Sequence, residues 1–327
     1  MNRFRALLAD GGPIVADGGM GTMLMAAGLV FGDPPEEWNL RATHAGRVRA
    51  IHRGYYDAGA HLVLTNSFGG SPFRLKLHRL DDRVVAVNRA AAELARAEAG
   101  PERVVAGSIG PSGELFVPLG ELDEAAAIAG FRDQAAGLAA GGADVLWIET
   151  MSDLQEVRAA VTGARQAAPE LPIVATMTFD TRGHTMMGVS PGEALAALAA
   201  LGLAAVGANC GNGTDEIETV IDAMRQADAG IPLIAKSNAG MPELVDGQAV
   251  YRGTPAVMAE YARRVHALGA TIIGACCGST PAHIAAIAAT LRHEPPLDRE
   301  QVRQTLGAAA TRGAATRGRR ARRGEAE

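Results

Sequence analysis

The amino-acid sequence predicts a single closed (β/α)8, or TIM, barrel, and three observations carry that prediction. Eight short apolar, β-branched runs recur along the chain. Each leads through small polar residues into a segment of helical character, the pattern of parallel strands joined by crossover helices. No GxGxxG turn follows the first run, which sets aside an open, doubly wound dinucleotide-binding sheet. A chain of 327 residues with 48% hydrophobic content is long and apolar enough for one barrel with a large core.

In chain order the runs are PIVAD (13–17), LVLTN (62–66), RVVAGS (103–108), VLWIE (145–149), PIVATMTF (172–179), AVGANC (205–210), PLIAKS (232–237) and TIIGAC (271–276). The clearest helical segments between them are 43–58, 83–99, 124–140 and 153–166, rich in Ala, Leu, Arg and Glu. The barrel is placed at 1–295, and residues 296–327 are an Arg-rich C-terminal extension that composition predicts to be disordered. Residues 308–327 hold six arginines against two glutamates. Of the formal net charge of −5 that leaves −9 on residues 1–307. An acidic body argues against nucleic acid as a partner. No run of eighteen apolar residues is present, so no membrane partner is expected, and Asp10 interrupts the N-terminus too early for a secretory apolar segment. The expected location is cytoplasmic. A homo-oligomer is compatible with the sequence.

Residues with chemistry to offer gather at the C-terminal ends of the runs, where barrels place their active sites. They are Asp17, Asn66, Ser108, Glu149, Thr178, Cys210, Asn238 and the pair Cys276–Cys277. These are the only three cysteines, and neighbouring Cα atoms about 3.8 Å apart lie closer than disulfides usually span. A single free cysteine at a strand end reads as core packing. All three at one mouth, in GANCGNG (207–213) and GACCGST (274–280), read as metal ligands. Three thiolates suit zinc and leave a fourth tetrahedral position open. A separation of 66 residues plus an adjacent pair is unlike the short spacings of structural zinc sites, and an open position beside soft ligands favours a substrate thiol.

Taken together, DGGMGTML (17–24), TNSFGG (65–70), GSIGPSGE (107–114), WIET (147–150), GANCGNG and GACCGSTPAHI (274–284) resemble the homocysteine S-methyltransferase family. That family includes betaine–homocysteine methyltransferases and the homocysteine module of cobalamin-dependent methionine synthase. The resemblance runs from about residue 8 to 293. It implies a (β/α)8 barrel, Zn2+ held by Cys210, Cys276 and Cys277, and a homocysteine ammonium held by Asp17 and Glu149. It also implies that the Gly18 and Gly19 amides take the homocysteine carboxylate. Physical chemistry agrees, since a free amino acid needs acid groups beside exposed N–H donors, and a DGG turn opening a helix supplies both. The plainer role for Asp17 is a helix N-cap. Glu149 ends an apolar run, where an unpaired carboxylate is costly to bury. Asn66 and Ser108 complete the expected substrate contacts.

The implied reaction is methyl transfer to the thiol of homocysteine, giving methionine. A free thiol with a pKa near 8.5 is only about 3% ionised at pH 7, and metal coordination deprotonates it without a general base. His44, His52, His78, His184 and His283 therefore need no catalytic role, and His283, after Pro281, reads as structural. The donor expected first is betaine, whose quaternary ammonium calls for an aromatic cage. Trp38, Phe68, Phe73 and Phe116 are candidates for it. Against that, Thr150 and Gly69 stand where betaine enzymes carry tyrosines, a pattern more like the methionine synthase module. S-methylmethionine, dimethylsulfoniopropionate and a methylcobalamin-carrying partner protein, as in a split methionine synthase, are the alternatives. A non-catalytic barrel binding zinc and an amino acid is the alternative of another class.

Overall fold

The computed structural model describes the whole chain except Met1, Phe31, Asp228, Ala229, Pro242, Asp246, Gly247 and residues 307–327. Its strands are β1 (Ile14–Val15), β2 (Leu62–Leu64), β3 (Val104–Ile109), β4 (Val145–Met151), β5 (Ile173–Met177), β6 (Ala205–Cys210), β7 (Leu233–Ser237), a hairpin of β8 (Glu243–Val245) and β9 (Gln248–Val250), and β10 (Ala270–Ala275). Hydrogen-bonded neighbours run β1–β10–β7–β6–β5–β4–β3–β2, every pair parallel. A parallel bridge between Ala16 and Leu62 joins the two ends of this order. The predicted barrel is therefore present, and each of the eight sequence runs overlaps one of its strands.

The helices are α1 (Arg3–Ala9), α2 (Met20–Ala26), α3 (Ala42–Asp57), α4 (Pro72–Leu75), α5 (Val84–Ala99), α6 (Glu124–Ala140), α7 (Leu154–Ala167), α8 (Pro191–Ala200), α9 (Thr214–Gln226), α10 (Pro255–Ala267) and α11 (Pro281–His293). Several begin where local chemistry satisfies the orphan amides of a first turn. Asp123 accepts from Ala126 N, and Ser190 with Glu193 forms a capping box ahead of Pro191. Thr254 accepts from Val257 N ahead of Pro255.

Side chains alternate along each strand, so one set fills the barrel and the other meets the helices. The inner set includes Ile14, Leu62, Val104, Val145, Val174, Ala205, Ile234 and Ile272, with Trp147 above them. Phe4 of α1 belongs to the same cluster and is fully buried. One step further toward the strand C-termini, the same alternation brings inward Ser108, Glu149, Thr176, Asn209 and Lys236, all buried. The floor of the barrel is thus apolar and its ceiling polar.

The composition-based boundary at residue 295 is not a structural one. Residues 299–306 are helical, Val302 is buried, and Arg303 Nε lies 3.2 Å from an Asp222 carboxylate oxygen. The segment docks there through Val302 and Leu306, which pack against the core, and through Arg299 and Arg303, which pair with Asp222. The arginine cluster of the predicted disordered extension falls outside the described residues. Among the described residues, no helix is long and apolar enough to cross a membrane.

One buried group is expected to make the fold acid-sensitive. His52 of α3 is fully buried, and neither ring nitrogen has a hydrogen-bond partner. Burial pushes its pKa down to about 4, with Glu98 opposing. The unfolded chain takes up this proton near pH 6.5 and the folded chain does not. The neutral imidazole's contribution is therefore fully present above pH 6.5 and is lost as pH falls toward 4. Urea titrations of His52→Leu are expected to show a flatter decline across that window, by on the order of 3 kcal/mol, and equal or greater stability at pH 7. An unchanged pH profile would exclude His52 as the cause.

Candidate functional site

The polar ceiling opens into a cavity of about 310 Å3 at the C-terminal mouth of the barrel, a size suited to a small molecule. Its walls include Gly18 and Gly19 after β1, Thr22 and Met25 of α2, Glu36, Asn66 to Phe68, Ser108, Glu149, Thr150, Lys236, Tyr251 and all three cysteines. Of the residues expected at the site, Gly18, Gly19, Asn66, Ser108, Glu149, Cys210, Cys276 and Cys277 line this one cavity.

The three thiols meet because β6 and β10 flank β7. Their sulfur atoms all lie within 4.8 Å of one another, the one group of three or more potential metal-ligating side chains found among the described residues. Cys210 sits at φ 67, a left-handed conformation that non-glycine residues rarely adopt. The surrounding loops hold it there. Asn238, at the end of β7, donates to Gly211 O at 2.7 Å and accepts from Cys277 N at 3.0 Å, so one side chain clamps both cysteine loops. Cys276 N donates to Ser237 O at 2.7 Å, and Asn209 Nδ2 reaches to 3.9 Å from Cys276 Sγ. Hydrogen bonds from Cys276 and then Cys277 hold the Cys210 thiol well below its usual range, and their hydrogen bonds to Cys210 push both neighbours up. Three thiols crowded this closely fit a divalent cation that would stabilise all three as thiolates.

Beside the thiols lies an acid–base cluster. Glu149 is buried, and its Oε1 accepts from Ser108 Oγ at 2.5 Å. Burial pushes this carboxyl up to about 7, with Lys236 opposing. The strand irregularity between Ile148 and Met151 and the left-handed Thr150 (φ 60) turn this stretch at the cavity wall. Asn209 fixes it, accepting from Thr150 N at 2.8 Å and donating to Thr150 Oγ1 at 2.7 Å.

Asp17 is fully buried and does not line the cavity. One oxygen accepts from Lys236 Nζ at 2.6 Å and the other from Leu64 N at 2.7 Å, the pattern of an ionised carboxylate. Lys236, one of the two lysines in the sequence, was not among the residues expected at the site. Its inward register in β7 was the available signal. Burial works against its charge, but Asp17, Glu149 and Cys276 together hold its pKa above the ordinary value.

The DGG turn is built for close approach. A Cβ on Gly18 would lie 2.5 Å from Ser279 Oγ, and one on Gly19 would lie 2.8 Å from Cys276 O. Gly19 N donates to Ser279 Oγ at 3.0 Å, so that amide is already engaged. Asn66 likewise spends its amide group on Pro35 O and Asn39 Oδ1, fastening the first loop to the second.

The aromatic cage expected around Trp38 is not assembled. Trp38 is buried outside the cavity, its ring centroid 4.4 Å from that of His44 and 5.6 Å from the Arg47 guanidinium carbon. Phe73 packs against Phe131, and Phe116 is buried in the core. Phe68 does line the cavity and is 40% exposed, and Tyr251, beyond the β8–β9 hairpin, joins it. Gly69 has no room for a side chain, because Glu36 Oε1 accepts from Gly69 N at 2.7 Å and would lie 2.8 Å from its Cβ. Glu36 is buried and, among the described residues, carries the only other carboxylate on the cavity wall.

Comparison with known proteins agrees with this geometry. The homocysteine S-methyltransferase family model matches residues 14–291. The methionine synthases of Mycobacterium tuberculosis and Mycobacterium leprae are 35% and 34% identical over 293 residues. Those matches cover 85% of this chain but 24% of each relative, so the chain spans about a quarter of their length. Among solved structures, the metallated form of the homocysteine methyltransferase MmuM from Escherichia coli superposes with a TM-score of 0.73 at 27% identity, covering 88% of this chain and 99% of that one.

Proposed function

The chain belongs to the homocysteine S-methyltransferase family, and we propose that it transfers a methyl group to the thiol of homocysteine, releasing methionine. The single observation that carries this reading is the juxtaposition, in one cavity, of three converging thiols with the buried carboxylate of Glu149.

The cluster fits Zn2+, with Cys210, Cys276 and Cys277 as its protein ligands. Zinc bound there supplies a position at which a substrate thiol is held ionised at neutral pH. The chain's own residues do the rest. Glu149, oriented by Ser108, takes the substrate ammonium, and the buried walls exclude water around that contact. Asn238 and Asn209 keep the cysteine loops and Thr150 in place. Holding sulfur and donor methyl at attack distance contributes the remaining acceleration.

For the donor, the reading favours a cation such as the quaternary ammonium of betaine or the sulfonium of S-methylmethionine or dimethylsulfoniopropionate. Glu36, Phe68 and Tyr251 support it, offering charge and aromatic surface on the wall of the same cavity. A methylcobalamin-carrying partner protein is the second reading, favoured by the match to one quarter of two methionine synthases. Methionine formation from homocysteine, measured with each donor in turn, separates them. Turnover with betaine or a sulfonium is the expected result. Turnover with methylcobalamin alone selects the partner reading, and no methionine from any donor ends the proposal.

A further inference from the structure

Resting on the reading above, we infer that Lys236 is a specificity-determining residue of the thiol site, its ammonium binding the carboxylate of the amino-acid substrate. A zwitterionic substrate needs a cationic or N–H partner as well as an acid. Lys236 is the only cationic side chain lining the cavity among the described residues. An ammonium has three donors. Of these, one is matched, to Asp17 Oδ1 at 2.6 Å, and the side chain is only 3% exposed. A buried ammonium with spare donors facing a cavity is costly unless a ligand completes it.

The amides that could compete are partly spent. Of the two glycine amides expected at the carboxylate, Gly19 N already donates to Ser279 Oγ, which leaves Gly18 N beside Lys236. Charge balance points the same way. Glu149 and Lys236 both line the cavity, so a zwitterion meets a carboxyl for its ammonium and an ammonium for its carboxylate. The lysine is rigidly placed for this. Its strand is paired on both sides, with Asn209 and Gly274 opposite Lys236, and its ammonium lies 5.6 Å from the Trp147 ring centroid.

The test is a cycle of ligand against residue, read by calorimetric binding so that no turnover is needed. Methionine is compared with methylthiopropylamine, which keeps the ammonium and thioether but lacks the carboxylate. In the parent protein the amine is expected to bind roughly ten- to 150-fold more weakly than methionine. In Lys236→Met, methionine is expected to fall to the level of the amine, while the amine itself is unchanged. Because that substitution strips a partner from buried Asp17, the double variant Asp17→Asn/Lys236→Met, which removes both charges, is measured in parallel. Equal losses for the two ligands, or none for methionine, would overturn the inference and leave homocysteine methylation standing. A parent protein that binds neither methionine nor homocysteine would overturn both.

Discussion

Cys276→Ala is expected to release most of the bound zinc and to reduce methionine formation to below about one-hundredth of the parent rate. Changes in the shell behind metal ligands alone typically cost ten- to a hundredfold, and a ligand does more. The Cys276 sulfur lies within 4.8 Å of both other thiols, its amide anchors to Ser237 O, and Asn209 approaches its sulfur. Two remaining thiolates give a weak site, and an unactivated substrate thiol near its free pKa is about 3% ionised at pH 7. The fold should survive, because the core beneath the cluster is a separate apolar layer of strand side chains. Elemental analysis of purified protein gives the metal content, and circular dichroism checks the fold. About one zinc per chain is expected in the parent. A variant with alanine at Cys210, Cys276 and Cys277 that still holds one zinc would place the metal elsewhere.

Glu149→Gln is the next largest effect, and its signature differs. It removes the proposed ammonium partner but none of the thiols, so zinc content should stay intact while homocysteine and methionine bind roughly ten- to 150-fold more weakly. The pH dependence makes the assignment sharper. Burial raises the Glu149 carboxyl to about 7, and an ammonium binds only its ionised form. Affinity for methionine, which carries no thiol proton to confuse the measurement, should therefore decline below about pH 7, approaching tenfold per unit. In Glu149→Gln that slope should vanish. Methionine binding that is flat from pH 7.5 to 5.5 in the parent protein would separate Glu149 from the ammonium.

The barrel and its thiol cluster were legible in the linear sequence for a simple reason. Parallel strands buried on both faces must be apolar throughout, so each one is a local signal that needs no partner to be recognised. Residues at their C-terminal ends then fall at one mouth by topology alone. Cys210 and Cys276–Cys277, 66 residues apart, could be brought together without knowing a single contact, since strand ends on one barrel share one face. Glu149 was equally visible, a charge closing an apolar run.

What a side chain is bonded to is another matter. Asp17 reads from sequence as a substrate ligand, yet both its oxygens are met by Lys236 and Leu64, residues 219 and 47 positions away. Trp38 reads as a cation receptor, but Arg47 and His44, drawn up by α3, already face its ring. Gly69 reads as a position open to an aromatic side chain, but the Glu36 carboxylate from another loop lies where its Cβ would point. In each case the outcome rests on a competition for one partner among groups distant in the chain. Sequence by itself determined the strands, the mouth and the residues with chemistry to offer there. Only the tertiary structure decided which were already satisfied and which still faced the cavity, because hydrogen bonds and charge pairs are settled by distance in space.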